Sequence, residues 1–198
     1  MNTPFYDKLQ SLLQMEKEPF TELYSLMQSQ EIKRNEFVLK EGEICKFIGL
    51  VNNGSLRTFY VNEHAEEVNF LFHFNQKIED IVFTDYESFL LSTPSKLNIQ
   101  ALENCTVYFI FQEDWQNLCN KNIYWQMFSK KMTEKAYLSA KKRVEDLLYY
   151  SPENRYIKLI QDNPLIFQKI SQRHLASYLG VTPQSLSRIR KRISINYL

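Results

Sequence analysis

The chain has 198 residues, 44% of them hydrophobic and 14% aromatic, with a formal net charge of +1. That composition excludes disordered and fibrous classes and supports one large domain, or a medium one and a small one. Cys45, Cys105 and Cys119 are widely spaced and odd in number, which argues against a disulfide framework, a zinc motif or a cysteine-ligated iron–sulfur cluster.

The amino terminus, MNTPFYDKLQ, lacks the basic start and apolar run of a secretory signal, and no stretch approaches the ~20 apolar residues of a membrane span. A soluble cytoplasmic protein without a membrane partner is expected. From Pro4 to about Gln30, Phe5, Leu9, Leu12, Leu13, Phe20, Leu23, Leu26 and Met27 recur at helical spacing, predicting short amphipathic helices broken near Pro19. From Ile32 to about Phe111 the texture changes to short runs such as FVL, FIGLV, LRTFYV, VNFLFHF, LNIQAL and TVYFIF. Turn signals (EGE, NNGS, NEHAEE, FNQK, LENC) separate them, as in a β-sandwich or barrel. TDYESFLL, Thr84 to Leu91, predicts a short inserted helix capped at Thr84 and closed by Pro94.

From Glu113 to Tyr150 the pattern is helical again. Trp125, Phe128, Met132, Ala136, Ala140, Val144 and Leu147 follow steps of three or four. A helix of about 25–30 residues would be ~40 Å long, more than one small domain needs to cover itself. Pairing with a second copy of the chain along this stripe is the expectation; a helix lying along its own β domain is the alternative. Ser151-Pro152-Glu153 ends this helix and starts another, and Asn163-Pro164 stops that one.

Charge is divided unevenly. Residues 1–140 hold 13 Lys+Arg against 19 Asp+Glu, a net of −6, whereas 141–198 hold 11 against 4, a net of +7. The basic end suggests a polyanionic partner. Within it, SQRHLASYLGVTPQSLSRIRKR gives Ser171 as a cap, Leu175, Ala176 and Leu179 as an inward face, and Gly180 as a left-handed turn. Thr182 caps the next helix, Pro183 takes its first position, and Leu186 and Ile189 face inward. A small residue, a glycine and an aliphatic at these offsets form the pattern of a helix-turn-helix. The outward face of the second helix, about Pro183 to Arg192, suits DNA. Gln184 and Arg188 are the leading candidates for base edges, followed by Ser187; Ser185, Arg190, Lys191 and Arg192 are candidates for phosphates, with Arg190 turned partly inward, and Thr182 is a further DNA-binding candidate.

These residues carry a family resemblance. LASYLGVTPQSLSRIRK, VFTDYESFLLSTPSKLNIQALEN and FVLKEGEICKFIGLVNNGSLRTFYV resemble the Crp/Fnr-like transcription regulators, in the variety common in Bacteroidetes. The resemblance implies an α+β chain over its full length. Residues 1–112 would be a cyclic-nucleotide-binding-like jelly-roll sensor with amino-terminal helices, 113–150 a dimerisation helix, and 151–198 the helix-turn-helix domain. Members add a β-hairpin wing after the recognition helix; here only ISINYL remains, too short for one.

In nucleotide-binding members a Gly-Glu-Leu step and an Arg-Ser pair hold the ligand, and these fall here at Thr84, Asp85 and Tyr86 and at Ser95 and Lys96. The acid is one carbon shorter and the phosphate arginine is missing. No glycine lies between Gly54 and Gly180 to build a phosphate cradle. Cyclic AMP is therefore not expected to bind in the usual way; the effector is another small molecule or none, and no cofactor is implied. Phe70, Phe72, Phe74 and Phe83 could line an apolar pocket but fit core packing better. His64 and His73 are nine apart and His174 lies in the helix-turn-helix, which gives no metal cluster and no nucleophile motif, so no enzyme is expected. The leading expectation is a homodimeric regulator on a near-palindromic double-stranded DNA site, with RNA polymerase as the further partner the class implies. The alternative is a small-molecule-sensing module acting through a protein partner without DNA.

Overall fold

The computed structural model describes residues 4–164 and 166–196. It opens with α1 (Pro4–Leu13) and α2 (Lys17–Ser25). The break between them falls at Gln14, in a left-handed conformation at φ 53, and not at Pro19. Pro19 sits in the first turn of α2, where a missing N–H leaves no helical bond unmade. The helical pattern expected to reach Gln30 gives way earlier to β1 (Gln28–Ile32). QSQEI exposes four of its five residues, so it has no readable period; its ladder with a later strand makes it a strand.

Then come β2 (Phe37–Leu39), β3 (Phe47–Asn53), β4 (Leu56–Val61) and β5 (Glu67–His73), each overlapping an expected run, with β3 running two residues and β5 starting one residue beyond it. Two small elements, α3 (Ile78–Ile81) and β6 (Val82–Phe83), follow without a sequence signal long enough to mark them. The inserted helix α4 (Tyr86–Leu91) is present, but Asp85 caps it: its carboxylate accepts from the Ser88 amide at 3.2 Å. Ser92, left-handed at φ 52, ends that helix two residues before Pro94. Then come β7 (Asn98–Ala101) and β8 (Cys105–Phe111). The strands form two four-stranded sheets, ordered β1-β8-β3-β6 and β2-β7-β4-β5. In the first, β8 runs antiparallel to both neighbours, Phe109 lying opposite Gln28 on one side and Gly49 on the other. A Cβ on Gly49 would fall 2.2 Å from the Phe83 ring, so this position has no room for a side chain.

The expected single helix after the strands is two: α5 (Gln112–Lys121) and α6 (Ile123–Tyr149). Asn122 between them is extended, and its Oδ1 accepts from the Trp125 amide at 3.3 Å, as a cap does. The chain ends with α7 (Pro152–Asp162), α8 (Ile166–Lys169), α9 (Gln172–Tyr178) and α10 (Pro183–Asn196). No helix among the described residues is long and apolar enough to cross a membrane.

The chain packs as two compact units. One holds the residues up to Thr58 and Phe72–Thr133; the other holds Phe59–Leu71 and the residues from Glu134 onward. This division by packing differs from the expected domain boundaries at 112 and 150. The core of the first unit gathers Leu9, Phe20, Val51, Leu56, Phe83, Ile99 and Val107 from helices and strands, with Trp125 and Phe128 of α6 packed among them. In the second, Tyr156, Ile166, Ile170, Leu175, Ala176, Leu179, Leu186 and Ile189 are buried. At roughly 25 cal/mol per Å² of apolar surface, such aliphatic and aromatic burial supplies the main driving force in each.

Candidate nucleic-acid interface and effector cassette

The terminal helices form because each end has its cap. Ser171 Oγ accepts from the His174 amide at 3.3 Å, starting α9. Gly180 has φ +68, and the Val181 amide returns to the Ala176 carbonyl at 2.9 Å. A Cβ there would meet nothing closer than Arg155 at 3.7 Å and Leu147 at 3.8 Å, so the glycine is required by its backbone conformation and not by space. Thr182 Oγ1 accepts from the Ser185 amide at 3.2 Å and lies 3.0 Å from Ser185 Oγ. Leu186 and Ile189 are buried, and Ala176, fully buried, lets α9 and α10 cross closely.

At 100° per residue, Gln184 and Lys191 stand roughly 170° from the buried side of α10, with Ser187 and Arg188 roughly 130° away. All four are exposed, as are Thr182, Arg190 and Arg192. Ser185 is half-buried behind its bond to Thr182. The Arg190 side, expected to turn partly inward, is a flank of the helix. Arg192 forms an ion pair with Glu153 of α7 at 3.0 Å. The helix continues past Arg192 to Asn196, so Ile193–Asn196 extend it; Tyr197 and Leu198 of the ISINYL tail lie outside the described residues.

Two arginines that the sequence reading passed over hold this motif from behind. Arg155 of α7 donates to the carbonyls of Leu147 (3.1 Å), Tyr150 (2.7 Å) and Leu179 (2.9 Å), gripping the carboxy-terminal ends of α6 and α9 together. Arg143 of α6 donates to the Tyr178 carbonyl and lies 3.7 Å over the Tyr178 ring. Cations at helix carboxyl ends satisfy orphan carbonyls and oppose the negative pole. Their spacing from the motif carries no periodicity that would mark either.

The seven stripe positions of α6 divide between two environments. Trp125 and Phe128 are core residues of the first unit, and Met132 packs against that core. They therefore cover their own β domain, the alternative weighed for this helix. Ala136, Ala140, Val144 and Leu147, all in the second unit, are exposed, with Val144 at 52% and Leu147 at 41%. Tyr137, Leu138, Leu148 and Tyr149 extend this exposed apolar surface.

The candidate effector residues bond to one another and to neighbouring elements. Asp85 is buried, and its second carboxylate oxygen accepts from Ser95 Oγ at 2.7 Å. Ser95 is buried too and also contacts the Leu97 backbone. Ser88 Oγ donates to the Thr93 carbonyl and accepts from the Cys45 amide. Thr84 Oγ1 donates to the Phe47 carbonyl at 2.8 Å. Tyr86 OH lies 2.6 Å from Thr133 Oγ1 of α6. Lys96 points outward and pairs with Glu87 at 3.7 Å. Phe72, Phe74 and Phe83 are buried core residues, and Phe70 is half-buried against Tyr60. No group of three or more potential metal ligands occurs among the described residues.

Residues 29–122 match the family model of the cyclic nucleotide-binding domain. The fold is shared with FixK2 from Bradyrhizobium japonicum, at 14% identity over 86% of this chain and 85% of that one, with a TM-score of 0.72. It is shared equally with the c-di-GMP-responsive global regulator CLP of Xanthomonas campestris (13% identity, 92% and 94% coverage, TM-score 0.71). A third similar structure, from Eubacterium rectale, is described as a transcriptional regulator of the crp/fnr family (13% identity, 98% and 88% coverage, TM-score 0.67). No curated protein matches the chain in sequence. At these identities the solved structures establish the fold: a β-sandwich of the cyclic-nucleotide-binding type followed by helices.

Proposed function

We propose that the chain is a homodimeric, sequence-specific DNA-binding regulator of transcription of the Crp/Fnr type. The observation that carries this is α10: a capped helix seated on Leu186 and Ile189, turning Gln184, Ser187, Arg188 and Lys191 to solvent. Gln and Arg are the side chains that pair bidentately with adenine and guanine edges, and Lys suits phosphate oxygens. By role, residues 1–112 serve as the sensor, 113–150 as the dimerisation segment and 151–198 as the reader. The names of the similar regulators support the same class.

Dimerisation runs along the exposed apolar surface of α6, through Ala136, Ala140, Val144 and Leu147, with Trp125 and Phe128 assigned to the core instead. Two-fold symmetry then places the recognition helices in successive major grooves, roughly 34 Å apart on a near-palindromic site. RNA polymerase is the partner such a regulator acts on.

The cassette does not take cyclic AMP in the usual way. Asp85 stands where the ribose-binding glutamate belongs and Ser95 where the phosphate-binding arginine belongs, and the two are bonded to each other. A buried phosphate needs a cation and donors, and this site spends its own donors on its own acid.

Binding to a set of duplexes tests the reader. Arg188→Ala should cost about 1–3 kcal/mol on the preferred site and flatten the preference, whereas Lys191→Ala should weaken all sequences alike. Equal losses from both variants on every duplex would contradict this division.

A further inference from the structure

The segment Phe59–Leu71, most of the β4–β5 hairpin, falls in the same compact unit as the helix-turn-helix. β5 is an edge strand, so one row of its backbone groups lacks a ladder partner within the sheet. Ser177 of α9 supplies one. Its Oγ accepts from the Asn69 amide at 2.9 Å and donates to the Glu67 carbonyl at 2.9 Å, as a neighbouring strand would. Asn69 is buried, and its side-chain amide lies 3.5 Å from both Nδ1 and the carbonyl oxygen of His174. The hairpin tip contains Glu63, Glu66 and Glu67 and neither lysine nor arginine. An acidic hairpin is thus hydrogen-bonded to the first helix of a motif whose second helix is basic.

We propose that this hairpin is an acidic latch on the helix-turn-helix: seated on Ser177, its three carboxylates oppose the approach of a phosphate backbone, and its release raises DNA affinity. The proposal rests on the DNA-binding reading. First helices of such motifs cross the DNA backbone, and phosphate attraction is the sequence-independent part of affinity, so three nearby negative charges act on it directly.

The test uses the full chain and a mixed-sequence duplex of about 30 base pairs, long enough for two half-sites a helical turn apart. Ser177→Ala removes both backbone bonds at a helix position where alanine is favourable. It should speed amide exchange at Asn69 and tighten duplex binding by roughly threefold or more in dilute buffer. Replacing Glu63, Glu66 and Glu67 by Gln should tighten binding similarly, and less so once Ser177 is already Ala, because the charges then no longer sit on α9. If the unaltered chain holds the duplex and Ser177→Ala leaves affinity unchanged or weaker, the latch is wrong and DNA binding stands. If neither protein holds any duplex, the DNA-binding reading fails and the latch falls with it.

Discussion

His73 is fully enclosed in the first unit, with Nε2 2.8 Å from Thr58 Oγ1, and burial lowers its pKa to about 4. Nearby Asp80 is pushed the other way, to about 6, also chiefly by burial. The two act on stability with opposite sign in the same pH window. Below pH ~6.5 the unfolded imidazole takes up a proton that the folded one refuses, so His73 costs stability as pH falls toward 4. Folded Asp80 retains a proton that the unfolded carboxyl has lost, so it costs stability as pH rises from about 4 to 6. Removing one group should expose the other. In Asp80→Asn, the unfolding free energy from chemical denaturation should fall with acidification across this window, by on the order of 3 kcal/mol at the low end. In His73→Gln, stability should instead decline as pH rises. Parallel slopes in the two variants would contradict the assignment. None of this was legible in the sequence, where His73 is one aromatic-flanked histidine in a strand; only the fold shows that it faces inward.

Among the elements, α9 and α10 were the most readable, because cap, turn and buried positions each impose a different residue type within a short span. Gly180→Ala should cost about 1 kcal/mol through left-handed strain alone, and Gly180→Asn less, since asparagine tolerates that conformation and a Cβ fits. Chemical denaturation would check this; equal cost for both would point to packing instead. The long helix was harder to read. Its periodicity is continuous through Trp125 and Leu147, yet the first half covers a β domain and the second half is exposed. Period alone reports that a face is apolar, not what lies against it. Val144→Glu should therefore shift the chain toward monomer in sedimentation equilibrium, while Phe128→Ala should chiefly lower stability, by about 3 kcal/mol or more. β1 was missed for the opposite reason: four exposed polar residues give no period, and only its ladder with β8 defines it.

For the whole molecule, the β-sandwich, the long helix and the basic terminal motif all stood in the sequence as changes of texture. The links within it did not. Arg143, Arg155, Ser177 and Asn69 join elements that are far apart in the chain, and the cassette's closure through Asp85 and Ser95 depends on rotamers no spacing can show. The terminal helix is basic in a chain that is nearly neutral overall. The most direct test is the salt dependence of duplex binding, measured by fluorescence anisotropy. If Arg190 and Lys191 of two subunits each neutralise a phosphate, log K should fall against log salt with a slope of about −3.6 or steeper. A slope near zero, or no binding in dilute buffer, would contradict the DNA-binding reading.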